Sequence, residues 1–262
     1  SRAGNRRKRR GVKVLTVANY KGGVGKTTTA RTLADILADS YRVLLIDLDP
    51  QASLTYACGL AGTVPNLVDV LRQPANRPLS KVIRPVKSGL DLAPSGLELA
   101  LVDQELISVI GREKILAGVL KPLRRLYDLV IIDTAPNLGT LTVNALTASH
   151  AVIIPTRPEP LDVQALLPFL NQVIDVRKKL NPGLAILGIL ITFYDPRIVS
   201  HKDAIDSMKA SKWPILPVKI TRTIRASEAP AAGESIITFE PGSKVADQYR
   251  QLAKGIEQWL KA

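Results

Sequence analysis

Short apolar runs alternate with longer amphipathic stretches along almost the whole chain. Five runs rich in Val, Ile and Leu have strand length: 12–18, 42–47, 129–133, 151–155 and 184–193. They are apolar almost throughout rather than at every second position, which suits strands covered on both faces of a parallel sheet. Helical periodicity covers 27–39, 96–120, 140–149, 161–180, 199–211 and 243–261. This alternation predicts one α/β domain over 11–262, a single doubly wound, mostly parallel sheet with helices on both faces. No internal repeat or low-complexity linker divides it.

Composition adds bounds. An apolar fraction of 46% supports a sizeable core, and with 4% aromatic residues that core is aliphatic. No stretch approaches the roughly 18 uninterrupted apolar residues of a membrane span, and no signal peptide is read, so a cytoplasmic protein without a membrane partner is expected. The single cysteine, Cys58, excludes an internal disulfide, and two histidines give no basis for a metal cluster. The last helix could lie on a membrane, since Val245, Tyr249, Leu252, Ile256 and Leu260 share one face. Its other face mixes Asp247, Gln251, Lys254 and Glu257, however, which favours core packing.

Charge is more specific. Lys and Arg number 36 against 23 Asp and Glu, a net +13. The first ten residues, "SRAGNRRKRR", hold six basic residues and no acidic one, and are read as a basic tail. The remainder still carries 30 against 23, or +7. A basic body attracts polyanions, nucleic acid foremost, although a solvated arm without a partner has the same composition.

The candidate chemistry begins at "NYKGGVGKTTTA" (19–30), directly after the first strand. Glycines 22, 23 and 25 can turn backbone N–H groups toward an anion, and the helix that follows aims its positive end at the same place. Lys26 would reach the β- and γ-phosphates and Thr27 would ligate Mg²⁺. This is a phosphate-binding loop with an irregular spelling: Tyr20 stands where the first glycine belongs, and a second lysine, Lys21, follows. "LLIDLDPQ" places Asp47 and Asp49 at the end of the second strand, facing the ligand crevice, although "DLDP" alone reads equally as a turn. "LVIIDTAPNLG" ends a strand on Asp133, suited to a direct or outer-sphere Mg²⁺ contact.

Together these residues resemble the deviant Walker A motif of the ParA/MinD family of P-loop ATPases. The resemblance implies that Lys21 reaches across an ATP-dependent homodimer to the partner's phosphates, that Asp49 orients the attacking water and that Asp47 joins the Mg²⁺ shell. Catalysis then rests on Lys21, Lys26 and Asp49, with Gly22, Gly23, Val24, Gly25, Lys26, Thr27, Thr28 and Asp133 around ATP. Asn137 stands where the family commonly has serine.

The resemblance continues through "LGILITFYDPR" (187–197) and "TRTIRASEAPAAGESIITFEPGSKVADQYRQLAKGI" (221–256), where it is closer to the DNA-partition branch. There it implies non-specific DNA binding by Arg197 and Arg225, with Arg222 and Lys219 as neighbours; the same arginines could be plain surface charges. Thr223 stands where members often have an adenine-contacting asparagine. The implied function is a slow ATPase, stimulated by a ParB-like centromere-binding partner, that binds nucleoid DNA as a dimer and leaves it on hydrolysis. A positioning ATPase for another cargo and a metabolic enzyme on the same fold are the alternatives.

Overall fold

The computed structural model describes residues 11–262, so the basic tail lies outside the described residues. Eight strands form one sheet in the order β3-β4-β2-β5-β1-β6-β7-β8. In chain order they are β1 (Lys13–Val17), β2 (Val43–Leu48), β3 (Arg84–Lys87), β4 (Leu90–Ala93), β5 (Leu129–Thr134), β6 (Ala151–Thr156), β7 (Ala185–Tyr194) and β8 (Ile215–Thr221). Only β3 runs antiparallel, paired with β4 at one edge. The predicted doubly wound, mostly parallel sheet is the one observed.

Alternation within the central strands divides two cores. Leu15, Leu45 and Ile131 pack on the face covered by the helices Lys26–Leu37 and Lys244–Lys261. Val14, Leu44, Ile46, Val130 and Ile132 pack on the other face, against Leu99, Val102 and Leu141. A third cluster joins β6 and β7 to the helices Pro160–Lys179 and Val199–Ala210 through Phe169, Leu170, Val173 and Met208. Each fully buried Leu, Ile or Phe side chain contributes roughly 1.5–3 kcal/mol relative to exposure, so this aliphatic sandwich is a rigid platform for the strand ends. The last helix buries Val245, Tyr249, Leu252, Ile256 and Leu260, as core packing requires.

The five predicted strands appear within a residue or two of their expected bounds, while β3, β4 and β8 were not predicted. The expected helix over 96–120 is interrupted: Leu99–Glu105 gives way to 3-10 turns, and Ile115–Leu120 resumes the helix. Gly111, with φ 74°, lies in the break.

Candidate functional site

In-register pairing sets the site. Asp133 of β5 is level with Asp47 of β2 and with Val17 of β1. Both carboxylates therefore leave the sheet near its C-terminal edge, and alternation from Leu45 and Ile131 turns them toward the helix Lys26–Leu37. The loop from β1 into that helix passes over them. Gly23 and Gly25 adopt φ 69° and 85°, a conformation that side chains with a Cβ resist, and Gly25 is the helix N-cap. Gly22 lies outside the left-handed region, so this backbone needs only two of the three expected glycines.

Lys26 and Lys21 point to different places. Lys26 is buried, donates from Nζ to the Lys21 carbonyl at 3.0 Å and lies within the field of Asp133 and Asp49. Burial lowers its pKa, and those two carboxylates oppose that shift. Lys21 stands at the rim with a side chain 38% exposed, 3.9 Å from Asp162 Oδ1. Asp162 is buried in the first turn of the helix Pro160–Lys179 and also receives Arg157 Nε at 2.5 Å. Asn19 fixes the start of the loop: its Nδ2 donates to the Pro155 carbonyl at 2.6 Å, and its Oδ1 accepts from the Lys21 N–H at 3.0 Å.

The three aspartates differ in what remains unused. Asp47 is fully buried; Oδ2 accepts from the Thr55 N–H and hydroxyl at 2.8 and 2.7 Å, and Oδ1 accepts from the Asp49 N–H at 3.2 Å. Burial pushes its pKa up to about 6 against the pull of those hydrogen bonds. Asp49 lies one residue beyond β2, nearly buried, with Oδ1 accepting from the Gln51 N–H at 2.9 Å. Asp133 Oδ2 accepts from the Thr27 hydroxyl at 2.6 Å, while Oδ1 is buried with no partner. Burial, then the neighbouring Asp47, drives the Asp133 pKa well above the carboxylate range. A positive charge at Oδ1 would relieve that cost. Among the described residues no group of three His, Cys, Asp or Glu could hold a metal alone. Thr27 and Asp133 therefore suit a hard cation whose other ligands are phosphate oxygens and water, the usual Mg²⁺ arrangement.

Beside the loop opens a cavity of about 240 Å³, lined by Gly25, Thr28, Phe193, Thr223, Ile224 and Tyr249 among others. Val24 is buried, and its carbonyl accepts from the Thr192 hydroxyl at 2.9 Å, which ties the loop to β7. Asn137 uses its Oδ1 locally, accepting from the Gly139 N–H and the Thr142 hydroxyl at the start of the helix Thr140–Ala148.

The four expected DNA residues gather at the C-terminal ends of β7 and β8. Arg197 is paired with Asp195 at 2.7 Å, and Arg225 with Glu228 at 2.9 Å, both exposed. Lys219 sits over the Tyr194 ring at 4.9 Å, and Arg222 is exposed. The structure thus brings the loop, Asp47, Asp49 and Asp133 together at one centre and keeps the arginines on a neighbouring rim. Asn19, Arg157 and Asp162 were not singled out from the sequence. Asn19 lies inside the quoted loop, but nothing in the local pattern around Asp162 points to Lys21.

Known proteins resemble this chain over most of its length. A family model described as an AAA domain matches residues 12–186. The sporulation initiation inhibitor protein Soj of Bacillus subtilis is 38% identical over 93% of this chain and 98% of its own. The chromosome partitioning protein ParA of Myxococcus xanthus is 34% identical over 92% and 87%. Among solved structures, cobyrinic acid a,c-diamide synthase from Mycobacterium smegmatis with bound ADP and magnesium superposes with a TM-score of 0.85 at 34% identity, covering 96% of each chain. A plasmid partition protein from Borrelia burgdorferi bound to AMPPNP gives 0.81 at 29% identity, covering 94% of this chain and 99% of its own.

Proposed function

Because the chain belongs to the ParA/MinD family of P-loop ATPases, we propose that it is a partition-type switch that binds DNA as an ATP-dependent dimer and releases it on hydrolysis. The observation that carries this reading is the division of labour between the two lysines: Lys26 is turned inward, and Lys21 is held at the rim where a second chain can be reached.

In this reading the loop N–H groups of residues 22–28 and Lys26 cradle the phosphates of ATP. Thr27 and Asp133 would hold Mg²⁺, which would neutralise negative charge on the phosphates. Asp47, with both oxygens engaged by Thr55 and Asp49, acts chiefly by fixing the Asp49 loop. Asp49 orients the attacking water, and Lys21 leaves Asp162 to stabilise charge on the partner's transferring phosphoryl group. The purine lies in the cavity beside Thr28 and Thr223. Arg197, Arg222, Arg225 and Lys219 contact DNA phosphates without reading sequence; exposed pairs such as Arg225–Glu228 are worth no more than about 1 kcal/mol and exchange readily. A slow intrinsic rate follows from the absence of a strong general base among the residues gathered here, and a ParB-like partner would raise it by ordering the site.

The test is DNA binding and sedimentation of the full chain with ADP, ATP or a non-hydrolysable analogue, for wild type, Lys21→Ala and Arg225→Glu. Dimerisation and tight DNA binding confined to the triphosphate states, with Lys21→Ala losing both and Arg225→Glu losing only DNA, support the switch. Tight binding that ignores nucleotide refutes it. Diamide synthesis, the activity named for the M. smegmatis protein, would instead make ADP formation depend on an added acid and nitrogen donor.

A further inference from the structure

We propose that the end of the sheet opposite the nucleotide loop is a second DNA-binding surface, open in every nucleotide state. It rests on DNA being the ligand but not on the nucleotide gate. Lys13 opens β1, the segment Lys121–Arg125 leads into β5, and Arg177 and Lys178 end the helix that precedes β7. β1, β5, β6 and β7 are parallel neighbours, so these residues share one edge of the sheet.

Their proximity is visible at His150. Burial, with the charges of Lys13 and Arg124, holds its imidazole below the ordinary pKa. Arg124, His150, Asn181 and Gly183 line one cavity of about 190 Å³. Asn181 donates to the Ser149 carbonyl at 2.6 Å and follows Arg177 and Lys178 closely in the chain.

At this edge the exposed cations are uncompensated. At the nucleotide end Arg197 and Arg225 each have an acidic partner, whereas Arg222 and Lys219 form no ion pair among the described residues. Here Asp128 is taken by Arg42 and Asp175 by Lys179. Lys121, Arg124, Arg125, Arg177 and Lys178 are exposed. No ion pair to them occurs among the described residues. Cations at helix C-termini can answer the helix dipole, which covers Arg177 and Lys178. Lys121–Leu123 is a single 3-10 turn, too short to require three cations of its own.

A surface of free cations binds a polyanion by releasing its counterions, without a folded pocket or a nucleotide. β7 alone is about 30 Å long at 3.3 Å per residue, so this surface is remote from Arg197 and Arg222. In a dimer joined through the nucleotide ends, it faces outward on both chains. Hydrolysis would then open the gated contact while the ungated one keeps the protein near DNA.

The experiment is fluorescence anisotropy with a short duplex of arbitrary sequence, in ADP and in a non-hydrolysable ATP analogue, across a salt series. Wild type is compared with Lys121→Glu/Arg124→Glu/Arg125→Glu, with the single Arg125→Glu, and with Arg225→Glu. In ADP, wild type binds weakly; the triple variant loses at least tenfold and flattens the salt dependence, Arg125→Glu loses part of this, and Arg225→Glu loses nothing. With the analogue, the triple variant keeps its nucleotide-dependent gain and Arg225→Glu loses it. Far-UV circular dichroism verifies the triple variant's fold, and Arg125→Glu carries the decision if that fold is lost. Absence of ADP-state binding by wild type, or its loss in Arg225→Glu alone, overturns the second surface. Tighter binding to phosphatidylglycerol vesicles than to the duplex overturns DNA as its ligand. ADP-state binding without any nucleotide-dependent gain leaves this surface standing and refutes only the switch.

Discussion

Lys21 Nζ lies 3.9 Å from Asp162 Oδ1, so the lysine that a partner chain would need is held by a buried carboxylate of its own chain. Arg157 grips the same carboxylate through two hydrogen bonds and fixes it, while Lys21 is its more weakly held companion. Asp162→Asn should therefore cost about 1–3 kcal/mol of stability through the weakened Arg157 hydrogen bonds, yet lower the ATP-analogue concentration needed for dimerisation. Urea denaturation and analytical ultracentrifugation check the two effects. A variant that dimerises less readily than wild type would show that Asp162 assists the crossing rather than restraining it.

Asp133 keeps a buried Oδ1 without a partner, and burial and the neighbouring Asp47 drive its pKa well above the carboxylate range. Asp133→Asn keeps an oxygen for the Thr27 hydroxyl and removes the charge. The nucleotide-free protein should melt no lower than wild type: the burial cost that raises the Asp133 pKa is removed, a gain of up to about 2 kcal/mol, and it outweighs the loss of one of the two carboxylates beside Lys26. The added stabilisation from Mg²⁺ with ATP should disappear. Thermal melts with and without Mg²⁺-ATP decide; an undiminished Mg²⁺ shift would remove Asp133 from the cation site.

His150 gives the fold a pH dependence of known sign. Its Nδ1 accepts from the Val14 N–H at 2.9 Å, and burial with Lys13 and Arg124 lowers its pKa. The unfolded chain therefore binds a proton more readily than the folded one. Stability contributed here is complete above the ordinary histidine value near 6.5 and falls as pH drops through that value toward the lower folded one. His150→Gln, which can still accept from Val14 but takes no proton, should flatten the denaturation midpoint between pH 7 and about 5.5.

The central strands and the phosphate loop were legible because their signals are local: continuous Val/Ile/Leu runs, and a glycine-rich turn between a strand and a helix. The sheet edges were not. β3 and β4 have four residues each, and β3 and β8 contain Pro85 and Pro217, which the sequence pattern reads as breakers but which edge strands tolerate. The Lys21–Asp162 contact joins residues 141 positions apart and is set by the register of β6, which no local pattern encodes. Asp133 and Asp47 were found as strand-end carboxylates, but which oxygen stays free depends on Thr55 and Thr27.

Gly89 illustrates the hidden edge. It turns the chain from β3 into β4 with φ 79°, and a Cβ there would stand 2.4 Å from the Ala38 carbonyl oxygen. Its own carbonyl accepts from the Val43 N–H at 2.8 Å at the start of β2. Gly89→Ala combines a strained φ with a backbone clash and should lose about 2–4 kcal/mol. Urea denaturation measures this. Nucleotide affinity of the folded fraction should be unchanged, since β2 delivers Asp47 and Asp49 from its other end.

Thr223 bears on which purine the site accepts. The cavity beside the loop offers an apolar bed from Phe193, Ile224 and Tyr249, and polar groups that include the hydroxyls of Thr28 and Thr223. The Thr223 hydroxyl already accepts from the Arg225 N–H at 3.2 Å, which leaves its proton to donate. A lone hydroxyl donor or acceptor rotates to suit either purine edge, whereas a carboxamide offers a fixed donor and acceptor side by side. Thr223→Asn should therefore widen the preference for ATP over GTP by roughly tenfold, the scale of one added hydrogen bond with a matched partner. Competition of each nucleotide against a fluorescent ATP analogue gives the ratio directly. An unchanged ratio would place the reading of the base on backbone groups of the 221–224 segment, with Thr223 serving only to cap Arg225.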